Sequence, residues 1–250
     1  MITRYEAYID GIPLSGLAPE IIVKDIAEKE AKTSETTYML ARGEGSRIFR
    51  RARESLSVSV KFEIRAYNVE RRQSIMEQVH LWANGRYLSV NTRPGKRLAV
   101  IVDDMPVVLS ALKWTQEITI TFVSRESPFW EDENATNLVF TGMSGNGILR
   151  PSGSVEKTRV EFVVTNKSNS TMDAFSASVG EYTMSFKNLG VLAGESFSLE
   201  YVDGVQILPV KSRTVESTDE LWAKCNANNE VSFTASQNAE VVFSVRGRYN

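Results

Sequence analysis

The chain has little of what catalysis and covalent cross-linking require, since its 250 residues include one cysteine, Cys225, and one histidine, His80. A single thiol cannot form an internal disulfide, and one cysteine with one histidine cannot complete a structural zinc site. A chain of this length buries a sufficient core without such cross-links. We therefore expect a protein that folds in a reducing cytoplasm and needs no cofactor or metal.

Long apolar runs are also missing. No stretch approaches the roughly 18 apolar residues that a membrane-spanning helix needs. The opening Met-Ile-Thr-Arg-Tyr-Glu is polar and lacks the apolar segment of a secretion signal. The sequence predicts neither a membrane span nor a targeting segment.

The charge is nearly balanced, with 29 Lys+Arg against 31 Asp+Glu and a net charge of −2. Residues 1–130 hold 19 of the basic and 16 of the acidic residues, and residues 131–250 hold the remaining 10 and 15. This asymmetry indicates two units with different surroundings. It is too mild for a dedicated nucleic-acid binder, which carries a concentrated basic face.

Motifs for enzymatic chemistry are weak. No Gly-X-Ser-X-Gly elbow is present, and the glycines at 142, 145 and 147 lack the Gly-Lys-Ser/Thr ending of a phosphate loop. Cys225 fits the role of a small buried residue, and His80 lies beside an apolar helical stripe. Trp114, Trp130 and Trp222 could line a sugar-binding face, but tryptophans are more often core or junction residues. We expect a protein that is not an enzyme.

The first half reads as an α+β domain. Leu56 to Ile64 alternates strictly between apolar and polar residues, as a half-buried strand does. Asn68 can cap a helix over 69–83, and Asn84-Gly85 ends it, with the glycine expected in the left-handed conformation. Strand-like runs follow at 87–91, 98–102 and 117–124. One helix among antiparallel strands is the predicted architecture.

The composition changes after Trp130. A polar run follows, and residues 142–153 hold four glycines and Pro151, which indicates a flexible connection. From residue 155 the pattern is all β, with alternation at 160–164, 182–186, 197–201 and 241–245 and frequent turns. The sequence predicts a C-terminal β-sandwich at 131–250 after an N-terminal domain at 1–130.

One segment, residues 33–55, fits neither core. It is polar and looks like a hairpin with its turn at 43–46. It is either a solvated surface hairpin or an arm that contacts a neighbouring subunit, where arginines pair with carboxylates and carbonyls. Its arginines are Arg42, Arg47, Arg50, Arg51 and Arg53.

The order of these elements resembles the distal tail proteins of siphophages. The similar features are the helix ending Leu-Trp-Ala-Asn-Gly at 81–85 before Tyr-Leu-Ser-Val, Trp114 before the strand at 117–124, and the junction Ser-Pro-Phe-Trp at 127–130. Further ones are 217–222 followed by 229–233, and the basic-aromatic end at 242–249. No one motif is specific; the resemblance rests on their order and spacing across nearly the whole chain.

The resemblance implies a mainly β fold, with one helix and a long hairpin arm in the N-terminal domain and a galectin-like or carbohydrate-module-like C-terminal sandwich. It implies a hexameric ring at the virion tail tip, assembled in the host cytoplasm, that joins the tail tube protein to a tail-tip hub protein and a receptor-binding protein and lets DNA pass. The arm would embrace the adjacent subunit through Arg42, Arg47, Arg50 and Arg51. Two alternatives stay open: a carbohydrate-binding module for host cell-wall glycans, and a tail-tube subunit.

Overall fold

The computed structural model describes residues 4–30, 33–39, 46–106, 115–125, 127–202, 205–207, 214–215 and 220–250. Within these ranges only the backbone is described at 33–39, 46–52, 201–202, 205–207 and 214–215. The chain forms two compact units, residues 1–130 and 131–250.

The first unit is built from short strands and one α-helix within its described part. Residues Leu14–Gly16 form a 3₁₀ turn after Pro13. The last strand, Trp130–Asp132, lies at the boundary between the two units. The elements are β1 Ala7–Ile9, β2 Ile12–Pro13, β3 Ile21–Lys29, β4 Thr33–Met39, β5 Ser46–Arg53, β6 Ser57–Arg65, α1 Val69–Ala83, β7 Tyr87–Val90, β8 Lys96–Asp104, β9 Thr115–Ser124 and β10 Trp130–Asp132.

Seven of these strands form an antiparallel sheet in the order β2-β1-β7-β8-β9-β6-β3. The alternation predicted at 56–64 is that of β6, whose apolar residues are buried from Val58 to Ile64. Helix α1 covers this face, and the rings of Trp82 and Phe122 meet edge to face at 6.1 Å. The sheet therefore has one face under the helix and one polar face.

Helix α1 has the predicted bounds, and its predicted cap is confirmed, since the Asn68 side chain accepts a hydrogen bond from the amide of Glu70. The prediction that Gly85 adopts a left-handed conformation was wrong, because Gly85 is not among the residues with positive φ. A Cβ at this position would lie 2.2 Å from Cγ2 of Ile9 and 2.5 Å from Oδ2 of Asp10. Close approach to the β1–β2 turn, not backbone freedom, explains this glycine.

The second unit is all β within its described part. It holds β11 Thr136–Leu149, β12 Lys157–Asn166, β13 Met172–Val179, β14 Tyr182–Val191, β15 Ser196–Val202, β16 Val205–Ile207, β17 Thr214–Val215, β18 Trp222–Lys224, β19 Asn229–Val245 and β20 Arg248–Tyr249. The strand order is β16-β15-β12-β19-β13-β14-β17, with β11 on the other side of β19 and β18 beside β12.

Strand β19 connects two layers. Residues 231–235 pair with β13, and residues 239–245 pair with β12. The opposing strand β11 carries an irregularity between Gly142 and Ser144, so the β11–β19 ribbon bends there. Phe162 of β12 packs 5.3 Å from Phe175 of β13, which places the two halves face to face. The predicted mainly β fold with a C-terminal β-sandwich is confirmed.

The interpretation of residues 142–153 as a flexible connection was wrong over residues 142–149, which belong to strand β11. Two of its glycines, Gly145 and Gly147, lie against aromatic rings. A Cβ on Gly145 would lie 2.7 Å from the Phe233 ring, and one on Gly147 would lie 2.9 Å from the Phe140 ring. These glycines admit aromatic side chains to the core, so their abundance marks packing and not a linker.

Candidate functional site

The described residues hold no group of three or more His, Cys, Asp or Glu side chains arranged to bind a metal ion. Cys225 is half-buried, and burial raises the pKa of its thiol above the ordinary value, so the thiol is protonated at neutral pH. His80 lies half-buried near the end of α1. In the same part of the chain, no helix has the length and apolar character needed to cross a membrane.

Trp130 and Trp222 each have an arginine over the ring. Trp130 is fully buried and donates its indole N–H to Glu28, while Arg93 lies over its ring at 5.6 Å. Trp222 is half-buried with the Arg159 guanidinium 5.3 Å from its ring centre. Trp114 lies outside the described residues. The interpretation of the tryptophans as core residues is confirmed for Trp130. The guanidinium of Arg159 covers part of the ring face of Trp222.

The segment predicted as an arm contains a two-stranded sheet, β4–β5, which pairs with no other strand in the described chain. Its register runs from Thr33 opposite Arg53 to Met39 opposite Ser46, with an irregularity between Thr36 and Thr37. The predicted hairpin is confirmed at the level of the backbone, and its role as an arm stays a prediction. An isolated two-stranded hairpin is at best marginally stable in water, so this one gains from a second surface.

The structure places three of the four predicted interface arginines on one strand of the arm. Arg47, Arg50 and Arg51 all lie on β5, where they are opposite Tyr38, Thr36 and Glu35 in the register. Arg42 lies outside the described residues. Their proposed role in an interface stays a prediction.

The polar face of the first sheet carries ion pairs both between neighbouring strands and within β6. Lys24 and Arg65 lie 2.8 and 3.0 Å from the Glu63 carboxylate, and Lys61 lies 2.8 Å from Glu117. Hydrogen bonds from Lys24 and then Arg65 lower the pKa of Glu63, and the hydrogen bond to Glu117 raises the pKa of Lys61. These five groups carry three positive and two negative charges, so their net charge is +1 and the field they offer an external partner is small.

A surface that the sequence did not reveal is the outer side of β11. This strand pairs along its whole length with β19 and with no other strand of the described chain. Val139, Met143 and Ile148 are among the most exposed apolar side chains, at 58%, 56% and 57%. The alternation of Leu138 and Phe140 with polar or exposed neighbours could have predicted strand β11. The glycines that follow are typical of loops, and for that reason the strand was not predicted.

No protein-family model matches the chain, and no curated protein matches it. Among solved structures, the crystal structure of the Dit protein of phage SPP1 matches with a TM-score of 0.65 at 10% identity, over 96% of this chain and 98% of that chain. That protein is described as a paradigm of the hub adsorption apparatus in phages that infect Gram-positive bacteria. A chain of the phage P2 baseplate, in its activated conformation with Ca, matches with a TM-score of 0.48 at 9% identity, over 94% and 98%.

The likeness to SPP1 Dit extends over both units, because nearly the whole of each chain is matched. It therefore covers the helix-bearing sheet and the sandwich together. This chain has the fold of the SPP1 Dit protein, which confirms, for the fold, the resemblance to distal tail proteins drawn from its sequence.

Proposed function

We propose that this chain is a structural virion protein that forms a hexameric ring at the distal end of a phage tail. The ring joins the tail tube to the tip or baseplate and leaves a channel for DNA. The observation that carries the proposal is the fold shared with SPP1 Dit over 96% of the chain. The work of the protein is mechanical, and it needs no cofactor.

The arm supports a ring in particular. A closed ring needs two different, complementary patches on each subunit, because every contact is head to tail. Strands β4 and β5 pair only with each other in the described chain. Seven paired residues span about 24 Å, which is long enough to lie across a neighbouring sheet. The arm provides one patch, and the surface of the adjacent subunit provides the other.

Arginine suits this contact chemically. The guanidinium group offers a planar set of N–H donors that bind carboxylates and backbone carbonyls in pairs. Arg47, Arg50 and Arg51 are close together on β5, and only Arg51 lies opposite an acidic residue, Glu35, in the register. We expect Arg42, Arg47, Arg50 and Arg51 together to bind acidic groups and carbonyls of the adjacent subunit.

The placement of the other partners follows from the same proposal. The ring sits between the tail tube protein on one side and a tail-tip hub protein or receptor-binding protein on the other. DNA passes through the lumen without specific contacts, since each fixed phosphate contact would retard its passage. Assembly takes place in the host cytoplasm before release.

The experiment is the mass of the full-length protein by light scattering on a sizing column, followed by negative-stain imaging. We expect a species built from six subunits with a central hole. Replacing Arg42, Arg47, Arg50 and Arg51 together by Ala shifts it toward monomer, and high salt has the same effect because it screens the ion pairs. An oligomer that is unchanged by the four substitutions contradicts the role of the arm.

The matched control removes the same charge from exposed basic residues of the second unit. Those residues are Arg150, Lys167, Lys187 and Lys224. The control variant keeps the ring if the arm is responsible and loses it if net charge alone sets the oligomeric state. Stacked rings or long tubes, in place of single rings, would favour a tail-tube subunit.

A further inference from the structure

One end of the sandwich carries a groove to which the proposed ring assigns no role. A hollow of about 370 Å³ lies between the β13–β14 turn and the β18–β19 turn, and a second hollow of about 550 Å³ continues it toward β11. Gly180 and Glu230 line both hollows, so the two form one groove. Small-ligand sites have volumes of roughly 300–1,000 Å³. We call this feature the end groove; it lies within residues 146–148, 178–182, 222–224 and 228–232.

Two aromatic side chains line the end groove, and each is held by a cation. The Lys157 ammonium donates to the Tyr182 hydroxyl at 2.6 Å and lies 5.2 Å from the centre of its ring. The Arg159 guanidinium lies 5.3 Å from the centre of the Trp222 ring and pairs with Glu220 at 3.5 Å. Both rings are half-buried, so each keeps accessible surface. Aromatic rings fixed in this way offer apolar surface at little cost in conformational entropy.

The two turns beside the groove are fixed to the strands. The Asn229 side chain accepts a hydrogen bond from the amide of Lys224 at 2.7 Å and donates to the carbonyl of Leu149 at 3.2 Å. The amide of Gly180 donates to the carbonyl of Glu230 at 2.8 Å, which ties the β13–β14 turn to β19. The groove is therefore formed before any ligand binds, and binding does not have to order it.

A row of uncharged polar side chains crosses four strands at the groove. Asn146 of β11 lies opposite Ser232 of β19, and Ser232 lies opposite Ser178 of β13. These three residues line the larger hollow. Ser178 lies in turn opposite Thr183 of β14, with the two hydroxyl oxygens 2.9 Å apart. Hydroxyl and amide side chains both donate and accept hydrogen bonds, so the row suits a ligand whose own groups do the same.

We propose that the end groove binds an uncharged oligosaccharide. A sugar ring presents C–H groups on its faces and hydroxyl groups, each a donor and an acceptor, around its rim. The aromatic surfaces of Tyr182 and Trp222 suit the C–H groups. The amide of Asn228 and the carboxylate of Glu230, both exposed in the groove, supply hydrogen bonds to the hydroxyl groups. All of these residues belong to one unit of one subunit, so the site does not depend on the proposed ring.

The charge and polarity of the groove favour a neutral sugar over other ligands. Its charged lining residues are Glu181, Glu230 and Lys224, two negative and one positive, so a polyanion such as nucleic acid gains no net attraction. An apolar molecule would remove water from the amides of Asn146 and Asn228 without replacing their hydrogen bonds. A peptide binds along a strand edge or in apolar pockets, whereas the polar row runs across β11, β19 and β13.

The first test is saturation-transfer NMR of the full-length protein with four neutral probes, chitotetraose, cellotetraose, maltotetraose and galactotetraose. Tetragalacturonate is the anionic comparison. We expect saturation transfer to at least one neutral probe, with a dissociation constant of about 0.1–1 mM, because an open groove makes few contacts. The tetragalacturonate signal should be weaker than that of the neutral probe.

The second test repeats the titration with variants of the groove. Asn228→Ala with Glu230→Ala should raise the dissociation constant at least about tenfold, because two hydrogen-bonding groups are lost. Trp222→Leu should weaken binding as well, since it removes the ring and keeps an apolar side chain. Asn238→Ala with Glu133→Ala is the matched control, because it makes the same two changes at exposed positions outside the groove. Thermal unfolding measured in parallel verifies that each variant is folded.

The outcomes separate this inference from the proposed ring. No saturation transfer to any neutral probe overturns the sugar site, as does binding that the groove variants leave unchanged. A stronger response to tetragalacturonate overturns the assignment to an uncharged sugar. The groove variants should keep the wild-type mass, and the four arginine substitutions in the arm should keep sugar binding. Either proposal can therefore fail without the other.

Discussion

Replacing Gly85 by alanine tests the reason given for that glycine. Gly85 follows α1, and the added Cβ would come within 2.5 Å of the Asp10 carboxylate and 2.2 Å of the Ile9 side chain. Asp10 accepts hydrogen bonds from the amides of Arg86 and Tyr87, at 2.9 and 3.0 Å. The substitution therefore forces the carboxylate away from two backbone donors that it holds in place.

The expected change in the free energy of unfolding combines two destabilising effects and one stabilising effect. A hydrogen bond to a charged acceptor contributes about 1.5–3 kcal/mol, but both amides are at the surface and water replaces part of that, which leaves about 1 kcal/mol for each. Moving the Ile9 side chain off its rotamer costs about 1 kcal/mol. The lower entropy of the unfolded alanine chain returns about 0.4–1 kcal/mol. We expect Gly85→Ala to lower the free energy of unfolding by about 2 kcal/mol.

The assay is urea unfolding followed by tryptophan fluorescence. Trp82 reports on this region, because its indole N–H donates to the carbonyl of Ile12 at 2.7 Å. Asp10→Ala and the double variant complete a mutant cycle. Since both single substitutions remove the same two hydrogen bonds, the double variant should be more stable than the sum of the single effects implies. A neutral or stabilising Gly85→Ala would refute the reasoning.

Two further predictions concern the ion pairs and the sandwich core. Hydrogen bonds from Lys24 and Arg65 lower the pKa of Glu63 in the folded state. Ionised Glu63 therefore stabilises the fold above its unfolded-state pKa, near 4.5, and this stabilisation is lost as the pH falls below that value. Glu63→Gln should be less stable than the wild type at pH 7 and lose less stability below pH 4.5, as measured by urea unfolding across that range; parallel pH profiles would contradict this. Phe162 is fully buried within 6.2 Å of four aromatic rings, so Phe162→Ala should cost about 4 kcal/mol. Phe162→Leu should cost less than half as much by the same measurement, and equal costs would show that volume is not the cause.

Local periodicity accounts for the elements that the sequence predicted well. Alternation from Leu56 to Ile64 predicts β6, because side chains on successive strand residues point to opposite faces. The apolar stripe after Asn68 predicts α1, because residues three and four apart share one helix face. Both patterns are complete within about fifteen residues, so no information about distant parts of the chain is needed.

The elements that the sequence missed depend on distant contacts. Strand β11 was interpreted partly as a linker because glycines weaken strands in general. Here Gly145 and Gly147 are needed because Phe233 and Phe140 occupy the space beside them. Strand β19 runs from Asn229 to Val245, of which only residues 241–245 were predicted as a strand from their alternation.

The candidate sites divide in the same way. Composition alone marks the arginine-rich hairpin, since its residues suit neither core, and the structure adds its separate pairing. The end groove is different, because residues 146–148, 178–182 and 222–232 come together only when their strands pair.

The sequence by itself therefore determined the mainly β character, the helix and its cap, and the basic hairpin, because these follow from periodicity and composition over short stretches. Only the tertiary structure decided which strands pair, where the β11–β19 ribbon bends and which edge stays open. Those features are set by contacts between residues far apart in the chain, such as Phe140 with Phe233, and no local pattern encodes such a pairing.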